Sequence, residues 1–346
     1  MPLMQDALEV RRLAVIALWS VAISFPGLLL AARAVDWIST DSMPLTFTAL
    51  MIQTFAFHAG LVAAPLLLIA TVTRRWWLGL AFLVGVLVTI GPLGFRMLRT
   101  PPSAVDSDAT LTVLSCNLLL GEADAEPLLA WIDKIDPDVI VLQEYADPWP
   151  GIVASELRDR YPHVWQELGG VDGQATLSRV PFLEVVPDIW GYEWSFFSPR
   201  ITIEHAGKRV DITNVHTYPP TRFTLLRAQT RQVEAAVGDV INRIGGLSGE
   251  PPADGVLYVG DFNAPWNSNQ LRPLARAGLR EAHARVGTNR GATWGPRDGV
   301  LSLAPGIRID HALYGGSLEP VWSVVGPDVG SDHRPIAVGF RWSESN

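Results

Sequence analysis

The chain has 346 residues, 27 Lys and Arg against 35 Asp and Glu, and a single cysteine, Cys116. That length suits about two domains, and one cysteine excludes an intramolecular disulfide framework. Residues 101–346 hold 20 basic and 31 acidic side chains, a balance of −11, which argues against non-specific binding to a phosphate backbone. Residues 1–100 hold seven arginines and four carboxylates, a balance of +3, together with most of the excess hydrophobicity.

Three apolar stretches come first, at 13–35, 46–72 and 76–95. Each approaches or exceeds the roughly 20 residues that a spanning helix needs. Trp76 and Trp77 follow Arg74 and Arg75, the placement of an interfacial anchor. A signal peptide would account for the first stretch alone. Three in succession carry more apolar surface than a small soluble core can bury. The expectation is a membrane domain over 1–98 with three transmembrane helices. Arg11, Arg12, Arg74 and Arg75 outnumber Arg33, Arg96 and Arg99, so the positive-inside rule places the N-terminus in the cytoplasm and the C-terminal half outside it. His58, in the second stretch, reads as a packed histidine. Residues 99–109 read as a linker stiffened by Pro101 and Pro102.

From 110 onward apolar runs of strand length dominate. The expected strands are 111–117, 138–144, 174–178, 201–205, 209–216, 256–262, 309–315 and 335–342. Helices are expected over 126–135 and 221–244, the latter with apolar positions 223, 226, 233, 237, 240 and 241. Many strands with few helices point to a layered α/β sandwich over 110–346. Polar residues recur at the strand ends. Asn117 and Glu144 close two apolar runs and His216 closes a third. Asp261 and Asn263 lie two apart, on one face of extended backbone, and Gly260 before them permits close backbone approach. Asp332 and His333 precede the last strand. Carboxylate oxygens suit a hard cation such as Mg²⁺, and imidazoles suit a phosphoryl group.

These motifs run in order as N at 117, Q-E at 143–144, L-S-R-x-P at 177–181, N-x-H at 214–216, G-D-F-N at 260–263, R-I-D-H at 308–311 and S-D-H-R-P at 331–335. Over roughly 110–342 the chain resembles the endonuclease/exonuclease/phosphatase (DNase I-like) superfamily, and with its apolar N-terminus it resembles bacterial membrane members of that group. The resemblance implies a four-layer α/β/β/α sandwich preceded by three transmembrane helices, and phosphoester hydrolysis dependent on Mg²⁺, with Mn²⁺ as an alternative. It implies metal ligation by Asn117, Glu144 and Asp310. It gives Asp261 the attacking water, Asn263 the phosphate and that aspartate, and His216 the phosphoryl charge. Asp332 and His333 become a dyad in which the carboxylate orients the imidazole. The general base, Asp261 or His333, stays open. Trp266 and Trp294 are candidates for the substrate pocket. Arg179 and Arg200 read as framework residues or phosphate contacts.

The leading expectation is a membrane-anchored phosphodiesterase of the bacterial inner membrane, with its catalytic domain outside the cytoplasm. Its partners would be the lipid bilayer and a lipid headgroup or other small phosphoester. A nuclease is the alternative, disfavoured by the acidic charge. The opposed class is an inactive membrane scaffold, which loss of Glu144, Asp261 or His333 would signal. All three are present.

Overall fold

A computed structural model of the chain describes residues 42–98, 109–191, 196–245, 252–297 and 299–343, with isolated positions between 16 and 31. The chain divides into two compact units, Met1–Leu98 and Arg99–Asn346.

In the first unit, helix α1 spans Met43–Val72 and α2 spans Trp76–Thr89. They pack through Ala63, Ala70, Leu78 and Phe82. A Cβ on Gly60 would strike the Thr89 side chain, so small residues set the approach. Large apolar side chains, among them Leu61, Leu68, Trp76, Trp77 and Leu87, face outward. The hydroxyls of Thr71 and Thr89 donate to Leu67 O (2.9 Å) and Gly85 O (2.7 Å), so each polar group is satisfied inside its own helix.

Among the described residues one helix, α1, is long and apolar enough to cross a membrane. The expected first span falls almost wholly outside the described residues. The expected third breaks at Ile90 into α2 and a seven-residue helix, α3 (Gly91–Met97). Pro92 lies in the first turn of α3. It has no N–H to continue the ladder of α2 and its ring crowds the preceding turn. The 14 residues of α2 extend about 21 Å at 1.5 Å per residue, short of a bilayer's roughly 30 Å. The three-span arrangement, and the side of the membrane deduced from its parity, lose their footing here. The expected 99–109 linker lies outside the described residues except for Ala109.

The second unit is two six-stranded sheets stacked face to face. The first contains, in spatial order, β11 (Leu318–Val325), β12 (Ile336–Trp342), β1 (Leu111–Asn117), β2 (Val139–Gln143), β4 (Gln174–Ser178) and β3 (His163–Glu167). The second contains β5 (Phe182–Val186), β6 (Arg200–His205), β7 (Lys208–His216), β8 (Gly255–Asp261), β10 (Asp310–Gly316) and β9 (Arg280–Glu281). Alternation divides their side chains between two cores. Val113, Val139, Val141 and Val338 meet Ile201, Ile212, Leu257 and Val259 between the sheets. Leu114, Cys116, Ile140 and Leu142 face the other way, against helix α4 (Ala125–Ile135). That helix buries Leu128, Trp131, Ile132 and Ile135, one face at helical spacing.

After the short α5 (Trp149–Ile152), helix α6 (Phe223–Gly245) lies against the second sheet. Its buried stripe is Leu226, Gln229, Val233, Ala236, Val240 and Arg243. Phe223 and Ile241, expected on that stripe, are exposed. Polar residues replace them because they have work on the sheet. Arg243 pairs with buried Asp211, and Gln229 Nε2 donates to Phe262 O at 3.0 Å. The layers are therefore helix, sheet, sheet, helix.

Each sheet contains one parallel pair at its centre, β1 with β2 and β7 with β8. The C-terminal ends of a parallel pair lie at the same edge. That edge carries the polar residues.

Candidate active site

Strand register builds the site. His216, the last residue of β7, is the Cα partner of Asp261, the last of β8. Asp261 is also paired with Asp310, the first residue of antiparallel β10. In the other sheet Asn117 ends β1 opposite Gln143 of β2, and Glu144 follows directly. Asn117 Nδ2 donates to Glu144 Oε1 at 3.0 Å and to Asp261 Oδ2 at 3.1 Å, so one buried amide joins the two sheets.

The backbone is bent to achieve this. Glu144 and Asn263 hold left-handed φ values of 53° and 48°, rare for residues with a Cβ and found mostly where function requires them. Gly260 sits at φ 144°, and a Cβ there would collide with the Val215 carbonyl and the Gln143 side chain.

Asp261 is almost fully buried. It accepts from Asn263 N (2.8 Å) and Asn263 Nδ2 (3.2 Å), and the Nε2 atoms of His216 and His333 each lie 3.6 Å from its Oδ2. Burial pushes its carboxyl up to about 7, against the pull of the His333 charge. Burial also raises Glu144, opposed by the hydrogen bond from Asn117. Burial holds His216 down to about 3, helped by repulsion from His333, so His216 is neutral at working pH. His333 is the reverse. Burial alone would lower it, but Asp310 and Asp261 outweigh that and lift it to about 10.

The partner of His333 corrects one expectation. Asp310 Oδ2 lies 2.9 Å from His333 Nδ1, so Asp310 orients the ring. Asp332 instead accepts the Trp294 indole N–H at 2.9 Å, and its other oxygen lies 4.0 Å from His333 Nε2. The reason is topological: Asp310 starts a strand beside Asp261, whereas Asp332 lies on a turn outside the sheet edge. Asp310 is itself held by Thr293, whose hydroxyl accepts the backbone N–H groups of Ile309 and Asp310, each at 3.1 Å. Burial would raise the Asp310 carboxyl, but the charge and hydrogen bond of His333 prevail and lower it.

Of the other candidates, Trp294 joins the site through Asp332. Trp266 is half-buried three residues past Asn263 and does not line the cleft that Trp294 lines. Arg179 pairs with Asp136 and Arg200 with Asp239, both as framework. His311 faces away, with Nε2 3.0 Å from Ala264 O.

Sequence reasoning gave no role to several supporting groups. Gln143 Nε2 donates to Asn214 Oδ1 at 2.6 Å, and Asn214 Nδ2 donates to Leu142 O and Ala175 O at 3.0 and 3.1 Å. This bridge ties the sheets directly beneath the site. Ser331 donates to Asn117 O at 2.8 Å and receives His333 N at 3.0 Å. These three residues sit inside the quoted motifs, which was their only signal. Thr293 had none beyond standing next to Trp294.

A divalent cation fits this donor set. Glu144, Asp261, Asp310 and Asp332 converge around the charge of His333. Asp332 Oδ1 is buried with no hydrogen-bond partner. Excess buried negative charge of this kind is what a hard cation offsets. Asp261, Asp310 and His333 also bring one ligand atom each within 4.8 Å of one another. A protonated His333 already bonded to Asp310 is a poor ligand, so the oxygens of Glu144 and Asp261 are the better holders.

A family model described as "Endonuclease/Exonuclease/phosphatase family" matches residues 114–333. No curated protein matches the chain. Among solved structures, an endonuclease/exonuclease/phosphatase from Beutenbergia cavernae is 22% identical, with a TM-score of 0.52 over 67% of this chain and 72% of that one. A D. rerio TDP2 complexed with single-strand DNA product is 16% identical, with a TM-score of 0.53 over 67% of this chain and 98% of that one. A 3'-5' exonuclease from Neisseria meningitidis is 17% identical, with a TM-score of 0.50 over 67% of this chain and all of that one. At these identities the structures speak to the fold. With the family match spanning most of the catalytic unit, the chain belongs to the endonuclease/exonuclease/phosphatase family.

Proposed function

We propose that this protein is a membrane-anchored, divalent-metal-dependent phosphodiesterase whose substrate is a lipid headgroup or other small phosphoester. The observation that carries the hydrolase reading is the meeting of Asn117, Glu144, His216, Asp261, Asn263, Asp310 and His333 at one edge of two sheets. A bound Mg²⁺ or Mn²⁺ would supply Lewis-acid charge at the phosphoryl oxygens and lower the pKa of water. Glu144 and Asp261, spaced by the Asn117 amide, would hold it.

The side chains then divide the remaining work. His333 is cationic and kept in place by Asp310, so its Nε2 can stabilise charge growing on the phosphoryl group. Asp261 is held by two N–H donors from Asn263 and orients the attacking water, taking its proton. Neutral His216 offers a hydrogen bond without adding charge.

The anchoring is supported by the outward apolar faces of α1 and α2 and their internally satisfied hydroxyls, as a bilayer demands. An anchored domain with an acidic surface favours small or lipid phosphoesters over nucleic acid. The nuclease reading draws on the TDP2–DNA and exonuclease neighbours, and the −11 balance of residues 101–346 opposes it. A hydrolysis screen of phospholipids, small phosphodiesters and single- and double-stranded nucleic acid, with Mg²⁺, Mn²⁺ or chelator, tests the proposal. Metal-dependent turnover of small or lipid diesters is expected. Turnover of nucleic acid alone would select the second reading, and turnover of nothing would reject catalysis.

A further inference from the structure

A cleft of about 800 Å³ opens beside the catalytic cluster, on the side of Asp332 and Trp294. Arg290, Arg297 and Arg334 line it, facing two carboxylates, Asp328 and Asp332. Each carboxylate has one oxygen in a hydrogen bond with a neutral donor and keeps its charge. Asp328 accepts Gly330 N at 3.0 Å and Asp332 accepts the Trp294 indole at 2.9 Å. Three guanidiniums against two carboxylates leave the cleft with a balance of +1, in a half of the chain that is strongly acidic.

Its wall is built rather than loose. His283 Nε2 lies 3.0 Å from Asn289 O, and Arg308 donates to Gly291 O at 3.0 Å while pairing with buried Glu281 at 3.0 Å. Arg334 N donates to Thr293 O at 2.6 Å. Trp294 bridges to Ile307 and to His333. The segments that carry the arginines are thus tied to the strand that carries Asp310 and to the turn that carries His333.

Resting on the phosphoester-hydrolase reading, we propose that this cleft is a second anion subsite. It receives a phosphate carried by the substrate beyond the scissile one, and Arg290, Arg297 and Arg334 recognise it. Planar guanidinium forks match phosphate oxygens. Three of them repel a quaternary ammonium, so the preferred substrate bears an anionic headgroup and a choline-type headgroup is rejected.

The test uses the full chain in detergent micelles with Mg²⁺. Cleavage of the diester bond is followed for glycerophosphoglycerol, for the same diester carrying a terminal phosphate, and for glycerophosphocholine. The terminal phosphate is expected to raise kcat/KM about tenfold, the scale of one charge-assisted contact. The Arg290→Gln/Arg297→Gln/Arg334→Gln variant should bring that ratio to about one. If the triple variant misfolds by circular dichroism, the exposed singles Arg297→Gln and Arg334→Gln take its place, each cutting the ratio about threefold.

A second arm needs no catalysis. Calorimetric binding of inorganic pyrophosphate in metal-free buffer should weaken about tenfold in the triple variant, or about threefold in each single. Equal kcat/KM for the two glycerol diesters, or arginine variants that keep both the preference and the pyrophosphate affinity, would overturn the subsite. Arginine-dependent pyrophosphate binding in a protein that hydrolyses no diester would instead overturn the hydrolase reading and leave the subsite standing.

Discussion

Single side chains at the site carry separable tasks, and mutation should separate them. Glu144→Gln removes an anionic oxygen with little change of shape, so metal should bind more weakly and excess Mg²⁺ should restore part of the rate. Asp261→Asn and His333→Ala should each lose about 10²–10⁴-fold in kcat, with less rescue by metal, because His333 holds none and Asp261 also takes the proton of the attacking water. Their double variant should fall by far less than the product, because residues acting on one transition state are not additive. Near-wild-type turnover in both folded single variants would end this mechanism. Asp310→Asn tests the corrected partner of His333. Without the carboxylate on Nδ1, burial dominates and the imidazole should titrate well below its raised value of about 10. An NMR titration of the metal-free protein reads this directly, and an unmoved His333 would mean that Asp310 is not what holds its charge.

At the scale of elements, the site depends on two sheets keeping their spacing. Asn214 reaches across from β7 to β2 and β4 with three buried hydrogen bonds. Asn214→Ala removes all three, leaving Gln143 Nε2 with only Ser115 Oγ at 3.2 Å, at about 1–3 kcal/mol for each buried group that loses its partner. The melting temperature should drop clearly, and kcat should fall with it because Gln143 directly precedes Glu144. A variant as stable as wild type would show that the sheets are held elsewhere. Helix α1 carries its own expectation. Its 30 mostly apolar residues should keep the protein in the pellet after carbonate extraction, and release of intact chain would refute anchoring.

For the whole molecule, the site trades stability for function. Glu144 and Asp261 have raised pKa values in the folded protein, so the stability they favour is present below their unfolded values near 4 and is lost as pH rises through the folded ones. His333 adds stability that is full below 6.5 and lost as pH rises toward about 10. His216 acts on the other side: with its pKa near 3, stability falls as pH drops from 6.5 toward that value. The metal-free protein should therefore lose stability steadily from pH 7 to 10. Mg²⁺ at about 100 times its Kd should return about 2.7 kcal/mol, or a rise of roughly 5–10 °C for a unit of this size. Glu144→Gln should be more stable than wild type without metal and should gain less from it. A melting series over pH, with and without Mg²⁺, checks both signs.

The sequence by itself determined the interior of the sandwich and the set of polar residues that the fold gathers at one edge of its two sheets. Buried central strands such as β2 and β8 are nearly unbroken apolar runs, because both of their faces are covered, and β1, β2, β7 and β8 each end on a polar residue. The edges were decided only by tertiary structure. Strands β3 (His163–Glu167), β5 (Phe182–Val186) and β11 (Leu318–Val325) each border a sheet and were not legible. An edge strand has one partner, is partly wetted, and here carries charges or a proline, so its local pattern is weak. The same limit applied at the site. Motif order put Asp332 directly beside His333, and only the pairing of β10 with β8 put Asp310 on the ring nitrogen instead. In the first unit, hydropathy counted a third span, but composition averages over Pro92, and the backbone does not.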